Sequence, residues 1–346
     1  MTPMGRITTW ARLAAGACVY AISGRTPPLG YQALIQLFCE SGGRSSDLLS
    51  RWVSRLNPPY ALPSASGVLG SLSSVEVAAV AEVLRSRGYY VFSRKLPADT
   101  CDRLLEFGLR HPSEVREEEG ASLGAAARRV YGDDRRAPKG VRYDFLAQDL
   151  LANPDVQALL FDASILAIAQ AYLRSRPIAD VLTMWWNTAY SDTPSEAAAQ
   201  LYHFDMDRIK WLKFFIYLTD VGPENGPHTF VAGSHRTGGI PSELLKRGYA
   251  RLTDAEVLRH YSDTDLVEFT GSRGTILAED TRGLHKGRHV THGDRLVLQL
   301  QFSNSLFGGE YPPAAFPRLA SREHQAFLES YPTIYSAFRP SDGKAT

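Results

Sequence analysis

Between residues 181 and 302 the chain alternates apolar and polar positions with the period of two that marks a strand. In 211–219, Leu212, Phe214, Ile216 and Leu218 share one face, while Lys213, Phe215 and Tyr217 share the other. In 295–302, Leu296, Leu298, Leu300 and Phe302 oppose Arg295, Val297, Gln299 and Gln301. Further strands are expected at 181–190, 201–205, 229–231, 266–269 and 274–279, with a turn at Asn225-Gly226-Pro227. The earlier half reads differently. Residues 74–87 form a helix closed by Gly88, 89–93 a short strand, and 97–109 a second helix. Asn153-Pro154 opens a helical region, and 165–173 is an apolar helix. Many short strands behind a helical layer predict a mainly β protein with flanking helices and a double-sheet jelly-roll core at about 181–305.

The flanks add helices. Trp10, Leu13, Ala14 and Val19 can share one face of an amphipathic N-terminal helix. Ser45-Ser46-Asp47 is the expected N-cap region of a helix that Pro58-Pro59 stops, and a Pro/Ser/Gly-rich linker follows to about residue 74. We therefore divide the chain into a helical extension, 1–73, and a domain, 74–346. That domain carries a helical insertion at 241–261, with a Thr253/Glu256 capping box, and a C-terminal tail with a helix near 322–331. The charged, Gly/Ala-rich stretch 114–134 reads as a mobile loop.

Composition narrows the function classes. A net charge of +1 over 346 residues gives no basic surface for nucleic acid or anionic membrane. Three cysteines without motif spacing point to a reducing compartment and against a disulfide scaffold or zinc cluster. No apolar run reaches membrane-spanning length. We read residues 13–23 as part of the amphipathic helix rather than a signal peptide, and expect a cytoplasmic protein acting on a small molecule.

The candidate chemistry begins at His203-Phe204-Asp205. Two residues apart on an extended segment, the imidazole and carboxylate project to one side and need only a second imidazole to make a metal face with open positions. His285, His289 and His292 are all available downstream. An arginine pointing into a barrel, as Arg295 would, is costly unless it meets an anion: a protein carboxylate or a ligand's. Lys213 poses the same question, with snorkelling to the barrel rim as its other reading. His228 and His235 read as hydrogen-bonded structural histidines, and Trp185, Trp186, Tyr190 and Trp211 as core or rim aromatics.

The segments YHFDMD, KFFIYLTDV, ENGPHTFVAGSHR and LHKG…GDRLVLQLQF, in that order and spacing, resemble the phytanoyl-CoA dioxygenase family of Fe(II)- and 2-oxoglutarate-dependent oxygenases. A weaker likeness reaches back to about Ala81, leaving the first seventy-odd residues outside. The resemblance implies a double-stranded β-helix, cupin-like core, with iron held by His203, Asp205 and His285. It implies that Arg295 grips the distal carboxylate of 2-oxoglutarate. Lys213 stands on the strand that supplies a second cosubstrate contact, usually a hydroxyl, and Asn187 where relatives place a polar group near the keto-acid end. The implied reaction consumes oxygen and 2-oxoglutarate, releases succinate and CO2, and hydroxylates a C–H bond; Asp205 argues against halogenation, which in this superfamily goes with loss of that carboxylate. Two alternatives stay open: a non-catalytic metal-binding jelly roll, and a metal enzyme without 2-oxoglutarate whose Arg295 binds the substrate's own carboxylate.

Overall fold

The computed structural model describes residues 3–116 and 128–338. Two antiparallel sheets form the core. The strands of the larger are β3 (Tyr89–Val91), β4 (Pro112–Arg116), β5 (Arg129–Val130), β6 (Arg142–Asp144), β7 (Ile178–Thr188), β8 (Trp211–Tyr217), β11 (Ile276–Glu279) and β13 (Asp294–Ser303). They lie in the order β3-β11-β8-β13-β7-β6-β4-β5. The smaller sheet is β10 (Leu266–Phe269), β9 (His228–Val231) and β12 (His285–Gly287), in that order. A two-residue hairpin, β1 (Ser66–Gly67) and β2 (Gly70–Ser71), stands apart in the linker.

The alternation read from the sequence sorts the side chains as expected. Leu212, Phe214, Ile216, Leu296, Leu298, Leu300 and Phe302 enter the main apolar core, which the helices close from outside. Those helices include α4 (Ser74–Arg87), α5 (Ala98–Arg110), α8 (Pro154–Leu160) and α9 (Ala163–Leu173). Phe215, Tyr217 and Val297 turn inward between the sheets, with Trp185 and Phe230.

Local chemistry sets the helix ends. The Ser73 hydroxyl accepts from the Glu76 amide and the Glu76 carboxylate from the Ser73 amide, so α4 starts on a capping box. It stops at Gly88, φ 90°, where a Cβ would stand 2.5 Å from His235 Nδ1; conformation and space both demand glycine. Asn153 caps α8 and Asp162 caps α9 by accepting from the next amides. The Thr253/Glu256 box begins α11 (Asp254–Val257), and the insertion otherwise holds only α10 (Ser242–Leu245).

Several expectations are corrected. Residues 201–205 form no ladder; Tyr202 and His203 make isolated bridges to Leu252 and His285. The stretch 114–134 is partly ordered by β4, β5 and α6 (Tyr131–Asp134), with Arg129 ion-paired to Asp134; the expectation of a mobile loop otherwise falls on 117–127, outside the described residues. In the extension, α1 (Pro3–Ser23), α2 (Pro28–Ser41) and α3 (Arg44–Leu56) are helical as expected. On α1, however, Leu13 is buried while Trp10, Ala14 and Val19 are exposed, because Gly16 lies against Gly30 and sets the contact line with α2. A Cβ on Gly16 would come 2.8 Å from the Gly30 Cα. Helix α3 starts earlier than expected, after Gly43 in the left-handed region, so Ser45 and Ser46 are buried in its first turn and cap nothing. Tail helix α12 spans Arg322–Ser330, and α7 Ala147–Ala152. No single described helix is long and apolar enough to cross a membrane.

Candidate metal centre and cosubstrate cavity

His203 and His285, far apart in sequence, are direct neighbours across an antiparallel bridge. Each donates its amide to the other's carbonyl, at 3.0 and 2.8 Å, and their ring centroids are 4.3 Å apart. The Asp205 amide donates to the Thr281 carbonyl at 2.7 Å, tying the same segment to the loop before His285. Although no ladder forms, side chains still alternate along 202–206. His203 and Asp205 face the cavity, and Tyr202, Phe204 and Met206 pack into a second apolar cluster with α2 residues. Phe38 of α2 meets the Phe204 ring at 5.4 Å, so the N-terminal extension backs the segment that presents the candidate ligands.

The cluster can take a metal. One ligand atom each from His203, Asp205 and His285 lies within 4.8 Å of the others, and all three residues are buried. The Asp205 oxygens stand 3.7 Å from His203 Nε2 and 3.5 Å from His285 Nε2. His203 Nδ1 sits 2.9 Å from the Leu201 carbonyl and His285 Nδ1 3.0 Å from that of Gly283. Donating there fixes the tautomer and leaves both Nε2 lone pairs aimed at Asp205. Burial, and for His203 the second ring, holds both imidazoles below the usual histidine range, in the neutral form a metal needs. Burial alone would raise Asp205; Lys213 above all, then His285 and His203, hold it well below the usual carboxylate range instead. No soft ligand is present, and two imidazoles with one carboxylate suit ferrous iron.

Lys213 comes from β8. Its ammonium donates to Asp205 Oδ2 at 2.6 Å and lies 2.9 Å from Asp207 Oδ2, and these carboxylates raise its pKa against the effect of burial. It is buried, not snorkelling.

Arg295, at the start of β13, points into the same cavity, 3% exposed. It donates Nη2 to Asn187 Oδ1 at 2.8 Å and Nη1 to the Gly226 carbonyl. Its Nε and the Asn187 Nδ2 have no partner among the described residues, and no described carboxylate pairs with the guanidinium. Burial, with Arg142 adding repulsion, lowers it to about 10, still charged at neutral pH. Asn187 Oδ1 is held by the Trp185 indole at 2.7 Å. The cavity is small, about 160 Å³, and is lined by the candidate metal ligands, Lys213, Arg295, Trp185, Phe215, His228 and Gln299. Ala198, Ala199, Gly287 and Arg142 complete the lining.

Of the predicted residues, His203, Asp205, His285, Lys213 and Arg295 line one cavity, with Asn187 just behind Arg295. His289 and His292 are not part of the cluster. Trp186 and Trp211 are core, and Tyr190 is exposed. His235 is buried and donates its Nε2–H to the Arg85 carbonyl at 3.1 Å, away from the cavity. Three residues were missed. Asp207 continues the two-residue step from His203 and Asp205 and was legible there. Glu279, fully buried 2.9 Å from His228 Nε2, is a carboxylate closing an apolar strand, a signal that was present. Arg142, whose guanidinium lies 4.3 Å over the Trp185 ring, had none.

A two-histidine, one-carboxylate cluster inside a double-stranded β-helix defines a mononuclear non-haem metal enzyme. Comparison with protein families matches residues 84–297 to Phytanoyl-CoA dioxygenase (PhyH), and the chain belongs to this family of Fe(II)/2-oxoglutarate-dependent oxygenases. A search of curated proteins gave no match. Similar solved structures include the epimerase SnoN with Fe3+, alpha-ketoglutarate and nogalamycin RO (18% identity, 66% of this chain and 84% of that one, TM-score 0.46). HygX from Streptomyces hygroscopicus, with nickel and 2-oxoglutarate, is 17% identical over 69% of this chain and 89% of its own, TM-score 0.46. EctD from S. alaskensis, with 2-oxoglutarate and 5-hydroxyectoine, is 19% identical over 74% of this chain and 88% of its own, TM-score 0.45.

Proposed function

We propose that this protein oxidises a C–H bond of a small molecule, hydroxylation being the default outcome. In this reading His203 Nε2, His285 Nε2 and an Asp205 oxygen hold ferrous iron, and Arg295 receives the distal carboxylate of 2-oxoglutarate. The observation that carries it is Arg295: a buried guanidinium facing the cluster, with a free Nε–H and no carboxylate partner among the described residues, calls for an anion brought from outside. A structural salt bridge, the competing reading of that arginine, has no acid among the described residues to make it.

Iron with 2-oxoglutarate and oxygen supplies the oxidising chemistry, with succinate and CO2 as co-products. The chain's own residues position and exclude. Asn187 and the Gly226 carbonyl fix two of Arg295's five N–H donors, leaving Nε and one on each Nη for the ligand. Lys213, engaged with Asp205 and Asp207, orients the ligand carboxylate and keeps it ionised, and its third N–H remains for an anion in the cavity. At about 160 Å³ the space is below the roughly 300–1,000 Å³ of whole-ligand pockets, so the cosubstrate fills it and the substrate meets it at the cavity mouth.

The test is substrate-stimulated succinate release, screened over candidate small molecules with Fe(II), oxygen and ascorbate, with mass spectrometry of the product. Succinate coupled to a product heavier by one oxygen is expected. A protein that binds iron yet never releases succinate is the non-catalytic jelly roll; turnover indifferent to 2-oxoglutarate makes Arg295 a substrate-carboxylate site.

A further inference from the structure

On the other side of the loop that leads to His285 lies a second cavity, of about 650 Å³, sharing no lining residue with the first. Its walls come from α3, the end of α4, the C-cap of α9, the residue before β8 and the 235–237 turn. These bring Arg51, Arg55, Arg85, Arg174, Lys210 and Arg236 around one concavity, with Arg282 at its floor and Asp47 as the carboxylate of the lining. Seven of the chain's 38 Lys and Arg side chains thus line one cavity, against a single lining carboxylate, although the net charge of the chain is only +1.

The cations differ in what they already hold. Arg282 grips Asp280, with Nη2 at 2.7 Å, and gives Nη1 to Asp47 at 3.1 Å. Arg85 pairs with Glu82 and donates to the Ala171 carbonyl. Among the described residues Arg236 reaches only the Gly233 carbonyl, and Arg55 only the Trp52 ring at 5.9 Å. Arg51, Arg174 and Lys210 have no hydrogen-bond acceptor or ion-pair partner among the described residues. Lys210 is only partly exposed; its ammonium rests 4.5 Å over the Tyr172 ring and feels Arg282 and Arg85 against Asp280 and Asp47. Burial, then Arg282, pushes it down to about 8. Arg174 holds the left-handed conformation (φ 56°) that a helix end usually gives to glycine.

Mutual repulsion among these groups disfavours the cavity as it stands, and a multiply charged anion would relieve it. Guanidinium forks converging from several directions suit a tetrahedral oxyanion better than a flat carboxylate, and the cavity is several times larger than the one beside the metal ligands. We propose that this cavity is a binding site for a diphosphate group, either free or carried on a larger organic molecule, with α3 of the N-terminal extension as one of its walls. The inference does not depend on the reading of the metal centre.

The test is calorimetric titration of the full-length protein at fixed ionic strength with inorganic diphosphate and with adenosine diphosphate, sodium chloride serving as the control. Saturable binding of diphosphate is expected, unchanged in Asp205→Ala, which separates this site from chelation at the metal centre. Lys210→Met should weaken it by about tenfold or more, as loss of a charge-assisted contact does. The double variant Arg51→Ser/Arg174→Gly, exposed and with glycine at the left-handed position, should weaken it comparably, and it decides the matter if Lys210→Met fails to fold. Arg110→Ser, on the remote surface of α5, should leave it intact. Tighter binding of adenosine diphosphate supports the carried group, and equal binding the free anion. The proposal is overturned if neither probe binds saturably, if Asp205→Ala abolishes binding, or if the double variant binds as well as the parent.

Discussion

The two faces of the larger sheet, one residue apart in sequence, obey different rules. On the outer face Leu212, Phe214, Ile216, Leu298, Leu300 and Phe302 are all but fully buried in one apolar core. On the inner face Lys213, Arg295, Gln299 and Glu279 share the interior with Phe215 and Tyr217, and some of their polar atoms go unpartnered. Unsatisfied buried groups cost on the order of 1–3 kcal/mol each, and an apolar side chain fully buried returns about as much. The outer face therefore offsets what the inner face spends on being ready for charged ligands. Stability and chemistry are segregated by the pleat.

Four substitutions probe that division, in falling order of effect. Asp205→Ala removes a candidate metal ligand and should lower 2-oxoglutarate turnover of the folded protein by at least about a thousandfold, roughly 4 kcal/mol in the barrier. Phe214→Ala is the mirror case: a loss of about 3–5 kcal/mol in denaturant unfolding, with iron affinity retained by the folded fraction. If Phe214→Ala instead destroyed iron binding in folded protein, the two faces would not be separable. Arg295→Ala should raise the KM for 2-oxoglutarate by about a hundredfold, the worth of two charge-assisted hydrogen bonds, and change kcat less.

The smallest effect is a pH dependence. Burial pushes Glu279 up to about 8 and His228 down to about 3. Above pH 6.5 neither folded nor unfolded His228 is protonated, whereas folded Glu279 keeps a proton that the unfolded chain has released. The stability due to Glu279 is thus lost as pH rises through about 8, by roughly 1–2 kcal/mol between pH 6.5 and 8. Between about pH 4.5 and 6.5 the two groups oppose each other and nearly cancel. In metal-free protein Glu279→Gln should flatten the upper limb and unmask a rise in stability from pH 4.5 to 6.5, followed by thermal unfolding across that range. A parent curve without the upper fall would place Glu279 in the ordinary carboxylate range.

Much of the scaffold was legible because alternation and capping are local signals. The opposed faces of β8 and β13, the Gly88 stop and the Thr253/Glu256 box follow from residue type and spacing alone. The site was half legible. His203 and Asp205 advertise themselves two residues apart, but His285 sits on the three-residue β12, too short for any period, with two further histidines close behind. Its choice came from family resemblance, and the backbone bridge to His203 supplies the physical reason. Arg142 reaches the cavity only because β6 pairs with β7, a contact that no local pattern encodes. The face of α1 was misjudged because helix–helix distance there is set by two glycines rather than by the larger apolar residues.

The bridge between His203 and His285 closes a loop of roughly eighty residues with two amide hydrogen bonds, and on the His203 side no ladder adjoins it. An ion held by the two imidazoles would close the same loop a second time. Those two amides should be the sentinels of maturation, exchanging with solvent in the bare polypeptide and falling silent once the ion is captured.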